Sequence, residues 1–267
     1  MNTSASGRGP RNLRGWIGDH QILSYFLLTY AISWSLWGFS SLGGGPVLFV
    51  LGGFGPFISA VLVTFLARLP VRKWLGSLLV WRVSAWYYAF AIFFPVALYV
   101  VVNVVLLLLG FPLAFPAVPG LLTSYLGTLA VVATVGGGFE EPGWRGFALP
   151  RLQAVRSPLT ATLILGLAWG VWHVPLYGPA GFIVPLILAF FYTWLYNRTG
   201  SVVLCLLLHA SFTPAQDFLT FTSDTPVVDI VILGVYLLGA LAFIVATRGR
   251  LGLERRAPLI EPPTESS

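Results

Sequence analysis

Residues 84–110 read SAWYYAFAIFFPVALYVVVNVVLLLLG, an apolar run without a single charged side chain. Because an α-helix rises about 1.5 Å per residue, a run of this length can cross the roughly 30 Å hydrocarbon core of a bilayer. Soluble domains carry about 25% charged residues because their surface faces water. Only 9% of the 267 residues in this chain are charged and 57% are hydrophobic. The sequence therefore predicts an integral membrane protein.

Seven further apolar runs flank this one, which predicts an all-α fold: a polytopic bundle of about eight transmembrane helices. The candidate spans are residues 22–42, 46–66, 84–110, 121–139, 159–177, 182–197, 201–221 and 227–246. Short loops join them, so we expect one helical domain over residues 21–247, with the polar motifs in 120–220. Residues 1–20 and 248–267 are predicted to be disordered tails, because neither has an apolar face to bury.

The basic residues predict the orientation of the bundle. All fifteen Lys and Arg fall on one side of an eight-span arrangement: Arg8, Arg11, Arg14, Arg68, Arg72, Lys73, Arg82, Arg145, Arg151, Arg156, Arg198, Arg248, Arg250, Arg255 and Arg256. The loops on the other side contain none; they lie around 43–45, 111–120, 178–181 and 222–226. Since cytoplasmic loops are enriched in Lys and Arg, both termini are predicted to be cytoplasmic in a multi-pass protein of the cell membrane. Charges placed between apolar runs also argue against a nucleic-acid partner.

Ionisable side chains within the spans are the candidates for function, because each costs at least about 2.5–3.5 kcal/mol to insert near the bilayer centre. Glu140 and Glu141 end one apolar run, and successive helical residues point about 100° apart, so one acid could act on a substrate while the other pairs with Arg145. An ordinary helix end at the membrane surface is the alternative for this group.

Two further polar groups lie in later spans. His173 lies within the apolar stretch WGVWHVP at 169–175, and a backbone carbonyl could equally be its only partner. His209 and Thr213 share one face of the span 201–221 because they are four residues apart. The Thr213 hydroxyl could equally bond back to its own helix.

Carboxylates, imidazoles and a hydroxyl together can activate water and hold an oxyanion, or they can bind a metal. The sequence contains no H-E-x-x-H motif, no G-x-S-x-G motif, and one cysteine, Cys205. These features argue against a standard zinc or serine hydrolase site. A proton relay in a small transporter is a further alternative.

At these residues the chain resembles the CPBP family, which includes the type II CAAX prenyl endopeptidases and related bacteriocin-processing and immunity proteins. The family pattern is E-E-x-x-x-R, then an aromatic residue and His as aromatic-x-x-x-H, then H-x-x-x-N. The matching residues here are Glu140, Glu141, Arg145, Trp169, His173 and His209. Thr213 stands where the family has Asn.

This resemblance implies an intramembrane endopeptidase that acts on a prenylated or otherwise membrane-associated peptide or protein. By the same resemblance, Glu140 is the base that activates water, with help from His173. Glu141 and Arg145 orient the site, and His209 stabilises the oxyanion together with the residue at 213.

The resemblance leaves the cofactor open. A divalent metal such as zinc, if one is present, would be held by Glu140, His173 and His209; the other reading is a glutamic protease without a metal. The Thr213 hydroxyl reaches less far than an amide, so a catalytically silent immunity or scaffold protein is the second hypothesis.

Straight helices would place Glu140 near the cytoplasmic boundary, His209 near the middle of the bilayer and His173 beyond it. The three can meet only if helices tilt or break. We therefore expect breaks at Pro142-Gly143 and at Pro175, with residues 144–156 re-entering or lying flat on the membrane surface. The site is predicted to be a water-filled cavity that opens to the cytoplasmic side.

Overall fold

A computed structural model describes residues 13–253, which form helices and no strands. The α-helices are α1 Leu13–Asp19, α2 Gln21–Phe39, α3 Pro46–Gly53, α4 Gly55–Leu66, α5 Val71–Ser77, α6 Ala85–Leu108, α7 Val118–Thr134, α8 Glu141–Gly143, α9 Leu149–Gln153, α10 Pro158–Tyr177, α11 Ile183–Thr199, α12 Val202–Phe218 and α13 Pro226–Ala246. Short π-helical segments occupy Ser40–Gly44 and Trp144–Ala148, and short 3₁₀ helices occupy Gly137–Glu140 and Pro179–Phe182. The predicted all-α class is confirmed.

Each of the eight predicted spans overlaps a helix or, for residues 46–66, the consecutive pair α3 and α4. Within residues 13–253, five helical stretches are long and apolar enough to cross a membrane, and the pair α3–α4, bent by 54°, makes a sixth if it is one span. Helices α11 and α12 have 17 residues each, slightly fewer than the roughly 20 that a perpendicular span needs. The count of eight and the orientation therefore stay predictions.

The boundaries of the predicted tails differ from the structure at both ends. Residues 13–19 form α1 rather than a disordered tail, because Ile17 is buried and Trp16 packs on the core. Residues 248–253 are also packed: Leu251 is fully buried, and the Asn197 amide donates a 2.9 Å hydrogen bond to its carbonyl. The remaining parts of both predicted tails, residues 1–12 and 254–267, lie outside the described residues.

The predicted helix breaks are placed wrongly. Helix α10 runs through Pro175 to Tyr177. Pro142 and Gly143 are themselves in helical turns, since proline is tolerated in the first turn of a helix. The backbone instead leaves helical geometry at Val135 and at Gly136, whose φ of −101° and ψ of −153° are those of extended chain. The stretch Gly143–Leu149 is completely buried, so it does not lie flat on a membrane surface.

Gly143 lets α8 approach α4 closely. A Cβ atom at Gly143 would lie 2.5 Å from the Pro56 carbonyl oxygen and 2.6 Å from the Tyr25 hydroxyl. Real Cβ contacts to backbone are never this short, so the two helices would have to move apart. The absence of a side chain here keeps the buried residues 143–149, which we call the motif segment, against α2 and α4.

We therefore expect Gly143→Ala to destabilise the protein by about 1–3 kcal/mol, the usual cost of overpacking. The thermal unfolding midpoint in detergent measures this effect. Gly127→Ala in α7 is the matched control, because a Cβ there would meet nothing within 4 Å. Equal midpoints for the two variants would contradict the predicted close approach.

Candidate active site

The interruption after α7 carries two acidic residues into the interior of the bundle. Glu140 and Glu141 follow the extended Gly136 through one tight turn, and their exposed fractions are 4% and 0%. Most of α7 is exposed, with Val132 its only buried residue. The acids therefore do not continue the exposed face of α7. They lie within the protein, so the alternative of an ordinary helix end at the surface does not apply.

Glu141, Arg145 and His209 form one buried network. The Arg145 Nη1 donates to both carboxylate oxygens of Glu141 at 3.0 Å. The His209 Nδ1 lies 2.9 Å from the Glu141 Oε1, and a carboxylate accepts this bond. The sequence predicts that one of the two acids pairs with Arg145, and Glu141 is that acid.

Two aromatic rings, which meet edge to face, contact the Arg145 guanidinium. Its carbon lies 4.2 Å from the centre of the Trp169 ring and 4.3 Å from that of the Tyr192 ring. Such cation–π contacts gain strength where water is excluded, and Arg145 is fully buried. The network thus has a fixed position relative to α10 and α11.

Glu140 faces a different set of partners. The Trp169 Nε1 donates to its Oε2 at 2.8 Å. Its other oxygen borders a space beside Gly137: a Cβ atom there would lie 3.1 Å from the Glu140 Oε1 and 2.6 Å from the His209 Nε2. The Glu140 Oε1 and the His209 Nε2 therefore lie close to each other beside Gly137, where a side chain would meet both of them.

His173 is oriented by its own helix. Its Nδ1 lies 2.9 Å from the Trp169 carbonyl oxygen, which can only accept, so Nδ1 carries the proton. The ring packs on Trp172 and stacks on Tyr177. The backbone partner considered from the sequence is present, and Nε2 is left for a second partner.

The Thr213 hydroxyl bonds back to its own helix. Its Oγ1 donates to the His209 carbonyl oxygen at 3.4 Å, one turn earlier in α12. This is the ordinary behaviour of threonine in a helix. The side chain also borders the cavity described next.

A cavity of about 280 Å³ lies against the site. Its walls come from α10, the turn Pro179–Phe182, α11 and α12, and they include Trp169, His173, Tyr192, His209, Thr213 and Asp217. These residues belong to the ends of α10, α11 and α12 that lie away from Arg156 and Arg198. The cavity therefore lies toward the ends of these three helices that carry no Lys or Arg, and the side of the membrane to which it opens stays a prediction. Because α10 continues through Pro175, its second half forms one wall of the cavity.

The three proposed metal ligands do not form a metal site in this conformation. Among residues 13–253, no three His, Cys, Asp or Glu side chains lie close enough together to hold an ion. Instead, Glu140 accepts from Trp169, His209 bonds to Glu141, and the His173 Nδ1 is bound to a backbone carbonyl. The residues present do not fit a three-ligand centre, and the cofactor stays undetermined.

Two residues of this site were missed in the sequence. Tyr192 covers one face of Arg145, but it lies in an apolar run where an aromatic residue carries no particular signal. Gly137 lies in the run Gly136-Gly137-Gly138, which reads as part of a span. Three consecutive glycines at a span end are typical of a close approach, and that signal could have singled it out.

Two comparisons with known proteins give a match for this chain. The model for the family "Type II CAAX prenyl endopeptidase Rce1-like" matches residues 122–213. A CAAX prenyl protease 2 of Methanococcus maripaludis is 32% identical over 110 residues, which cover 34% of this chain and 40% of that protein. The chain thus spans less than half the length of this curated relative. The family match includes Glu140, Glu141 and His173, and the family resemblance seen in the sequence is confirmed over residues 122–213.

Proposed function

We propose that this protein is an intramembrane endopeptidase that hydrolyses a peptide bond near the C-terminus of a prenylated, membrane-associated peptide or protein. One observation carries the proposal: the Glu140 Oε1 and the His209 Nε2 border the same point beside Gly137. A water molecule beside Gly137 that lies between these two atoms would touch both a base and a second proton-transferring group. The multi-pass location in the cell membrane is part of the proposal.

In the proposed reaction, the Glu140 carboxylate takes a proton from water as the water oxygen bonds to the carbonyl carbon of the substrate. The carbonyl oxygen becomes an oxyanion, which the protonated His209 Nε2 stabilises by donating a hydrogen bond. Glu140 then gives its proton to the leaving nitrogen as the carbon–nitrogen bond breaks.

The remaining site residues position His209 or contact the substrate. Arg145 holds Glu141, and Glu141 holds the His209 ring through Nδ1, so both are positioning residues. His173 has its Nδ1 proton bound to the Trp169 carbonyl. Its Nε2 can accept a hydrogen bond from a water or substrate amide in the cavity that His173 lines.

Cleavage of a defined peptide tests the proposal. The purified full chain is reconstituted in lipid vesicles with a farnesylated peptide that ends in the C-a-a-X pattern, in which the Cys carries the prenyl group. We expect a shortened product in mass spectrometry, and none from the same peptide without the farnesyl group. No cleavage of either peptide would contradict the peptidase; equal cleavage of both would contradict the prenylated substrate.

Gly137→Ala is expected to abolish most of the activity without unfolding the protein. The three atoms nearest to the added Cβ all belong to Glu140 and His209, so the methyl group would displace these two side chains from each other and from the reacting water. Loss of a well-placed base or its water lowers the rate by about 10²–10⁴-fold. The measurements are kcat and the thermal midpoint, with Gly120→Ala as the control because a Cβ there meets nothing within 4 Å. A normal kcat for Gly137→Ala would contradict this water position.

Thr213→Asn is expected to raise kcat by at least about tenfold, because a complete oxyanion donor contributes about 10²–10³-fold. The Thr213 hydroxyl donates its hydrogen bond to the His209 carbonyl oxygen, whereas the Asn amide has two donor hydrogens and a longer reach. Thr213→Val, which has the same shape without a hydroxyl, is the control. A fall in kcat for Thr213→Asn would show that the hydroxyl itself serves the reaction.

The same hydrogen bond of Thr213 favours the second candidate, a catalytically silent scaffold or immunity protein. In that case the wild type cleaves no peptide, and Glu140→Ala and His173→Ala keep the biological phenotype. Cleavage by Thr213→Asn alone would identify a silent member whose remaining site is intact.

A further inference from the structure

The segment 68–82, which we call the basic segment, joins the apolar helices α4 and α6 and contains the short helix α5. Its four cations, Arg68, Arg72, Lys73 and Arg82, are all exposed, and it contains no acidic residue. Within residues 13–253, none of the four forms a salt bridge to an acidic side chain. The segment therefore presents uncompensated positive charge.

Exposed apolar side chains lie between these cations. Leu79 is 69% exposed and Trp81 is 58% exposed, and the Arg82 guanidinium lies 5.1 Å from the centre of the Trp81 ring. Tryptophan next to Lys and Arg is typical of the boundary between hydrocarbon and headgroups. Since α4 and α6 are apolar helices, the chain between their ends is at the height of this boundary.

The basic segment is held in a defined position. The Trp74 Nε1 donates to the Gly146 carbonyl oxygen at 2.9 Å, and the Ser201 hydroxyl donates to the Val80 carbonyl. The Tyr88 hydroxyl donates to the Trp81 carbonyl at 2.5 Å. Leu78 is buried in contact with Gly146. The cations thus project from a fixed support that touches the buried motif segment.

We infer that the basic segment is a binding surface for the headgroups of anionic phospholipids. Clustered Lys and Arg next to transmembrane helices attract anionic lipids, and apolar side chains add affinity by entering the interface. The contact of Trp74 with Gly146 places this surface directly against residues 144–148. The inference does not depend on the peptidase activity.

Lipid binding by the purified full chain tests this inference. The protein is reconstituted in vesicles of phosphatidylcholine with or without phosphatidylglycerol, and the retained lipids are identified by native mass spectrometry. We expect preferential retention of phosphatidylglycerol. Arg72→Gln together with Lys73→Gln should weaken this binding about thirty-fold at low salt, because each Lys or Arg near the surface contributes about fivefold to affinity for an anionic membrane. Higher salt should weaken it in the wild type.

Arg248→Gln together with Arg250→Gln is the matched control, since it also removes two exposed cations. That pair follows α13 without a tryptophan beside it, and its loss should weaken the retention of phosphatidylglycerol less than the loss of Arg72 and Lys73. Unchanged binding in the Arg72 and Lys73 variant would overturn the inference. An equal loss in both double variants would also overturn it, because net charge alone would then explain the binding.

Discussion

Glu140→Gln is expected to lower kcat for peptide cleavage by about 10²–10⁴-fold, the contribution of a positioned general base. Glutamine has nearly the shape of glutamate, and its side-chain oxygen can still accept the hydrogen bond from the Trp169 Nε1. The amide cannot take a proton from water. The loss should therefore appear in kcat, with little change in KM.

The control for this variant is Asp224→Asn, which also neutralises one carboxylate but at an exposed loop position. Its kcat should equal that of the wild type. Both variants should keep the wild-type thermal midpoint in detergent. A Glu140→Gln protein that cleaves at the normal rate would remove Glu140 from the reaction and with it the proposed mechanism.

Arg145→Met is expected to destabilise the protein by about 3–5 kcal/mol, the cost of removing one partner from a buried ion pair. Both residues of the Arg145–Glu141 pair are fully buried, so the variant leaves a carboxylate without its main counter-charge. The His209 ring, which bonds to the same carboxylate, would also lose its support. The thermal midpoint measures the loss.

Arg145→Met combined with Glu141→Gln should recover part of that stability, because the double variant contains no unpaired buried charge. Arg156→Met is the control: it removes an arginine that is exposed beyond α9, and its midpoint should not change. A wild-type midpoint for Arg145→Met would mean that the ion pair contributes nothing to the fold. No recovery in the double variant would assign the loss to the Trp169 and Tyr192 contacts.

The positions of the helices could be predicted from local hydrophobicity. A lipid environment has no water to bond the backbone, so each apolar run must form its own hydrogen bonds as a helix. The runs at 84–110, 159–177 and 227–246 became α6, α10 and α13 with ends shifted by two residues or fewer. The predicted disordered tails are too long, because a short packed helix such as α1 buries only one or two side chains and these do not change the local composition noticeably.

Part of the site was equally local. The four-residue spacing of Glu141 and Arg145 is enough to pair them on one helical turn, and the same spacing lets Thr213 reach the His209 carbonyl. The family resemblance singled out Glu140, His173 and His209, which the structure holds in buried or partly buried positions around Trp169.

Other features depend on contacts between distant parts of the chain. The Glu140 Oε1 and the His209 Nε2 come together because the backbone leaves helical geometry at Val135 and Gly136. The sequence around a proline such as Pro175 does not show whether the helix ends there or continues through it. The helices that wall the cavity follow from the uninterrupted course of α10, whose second half lines it. Hydrophobicity and spacing act within one helix, and they decide which segments cross the lipid and which side chains share a face. How helices pack against one another, and hence which buried polar atoms meet, is decided only when the whole bundle is assembled.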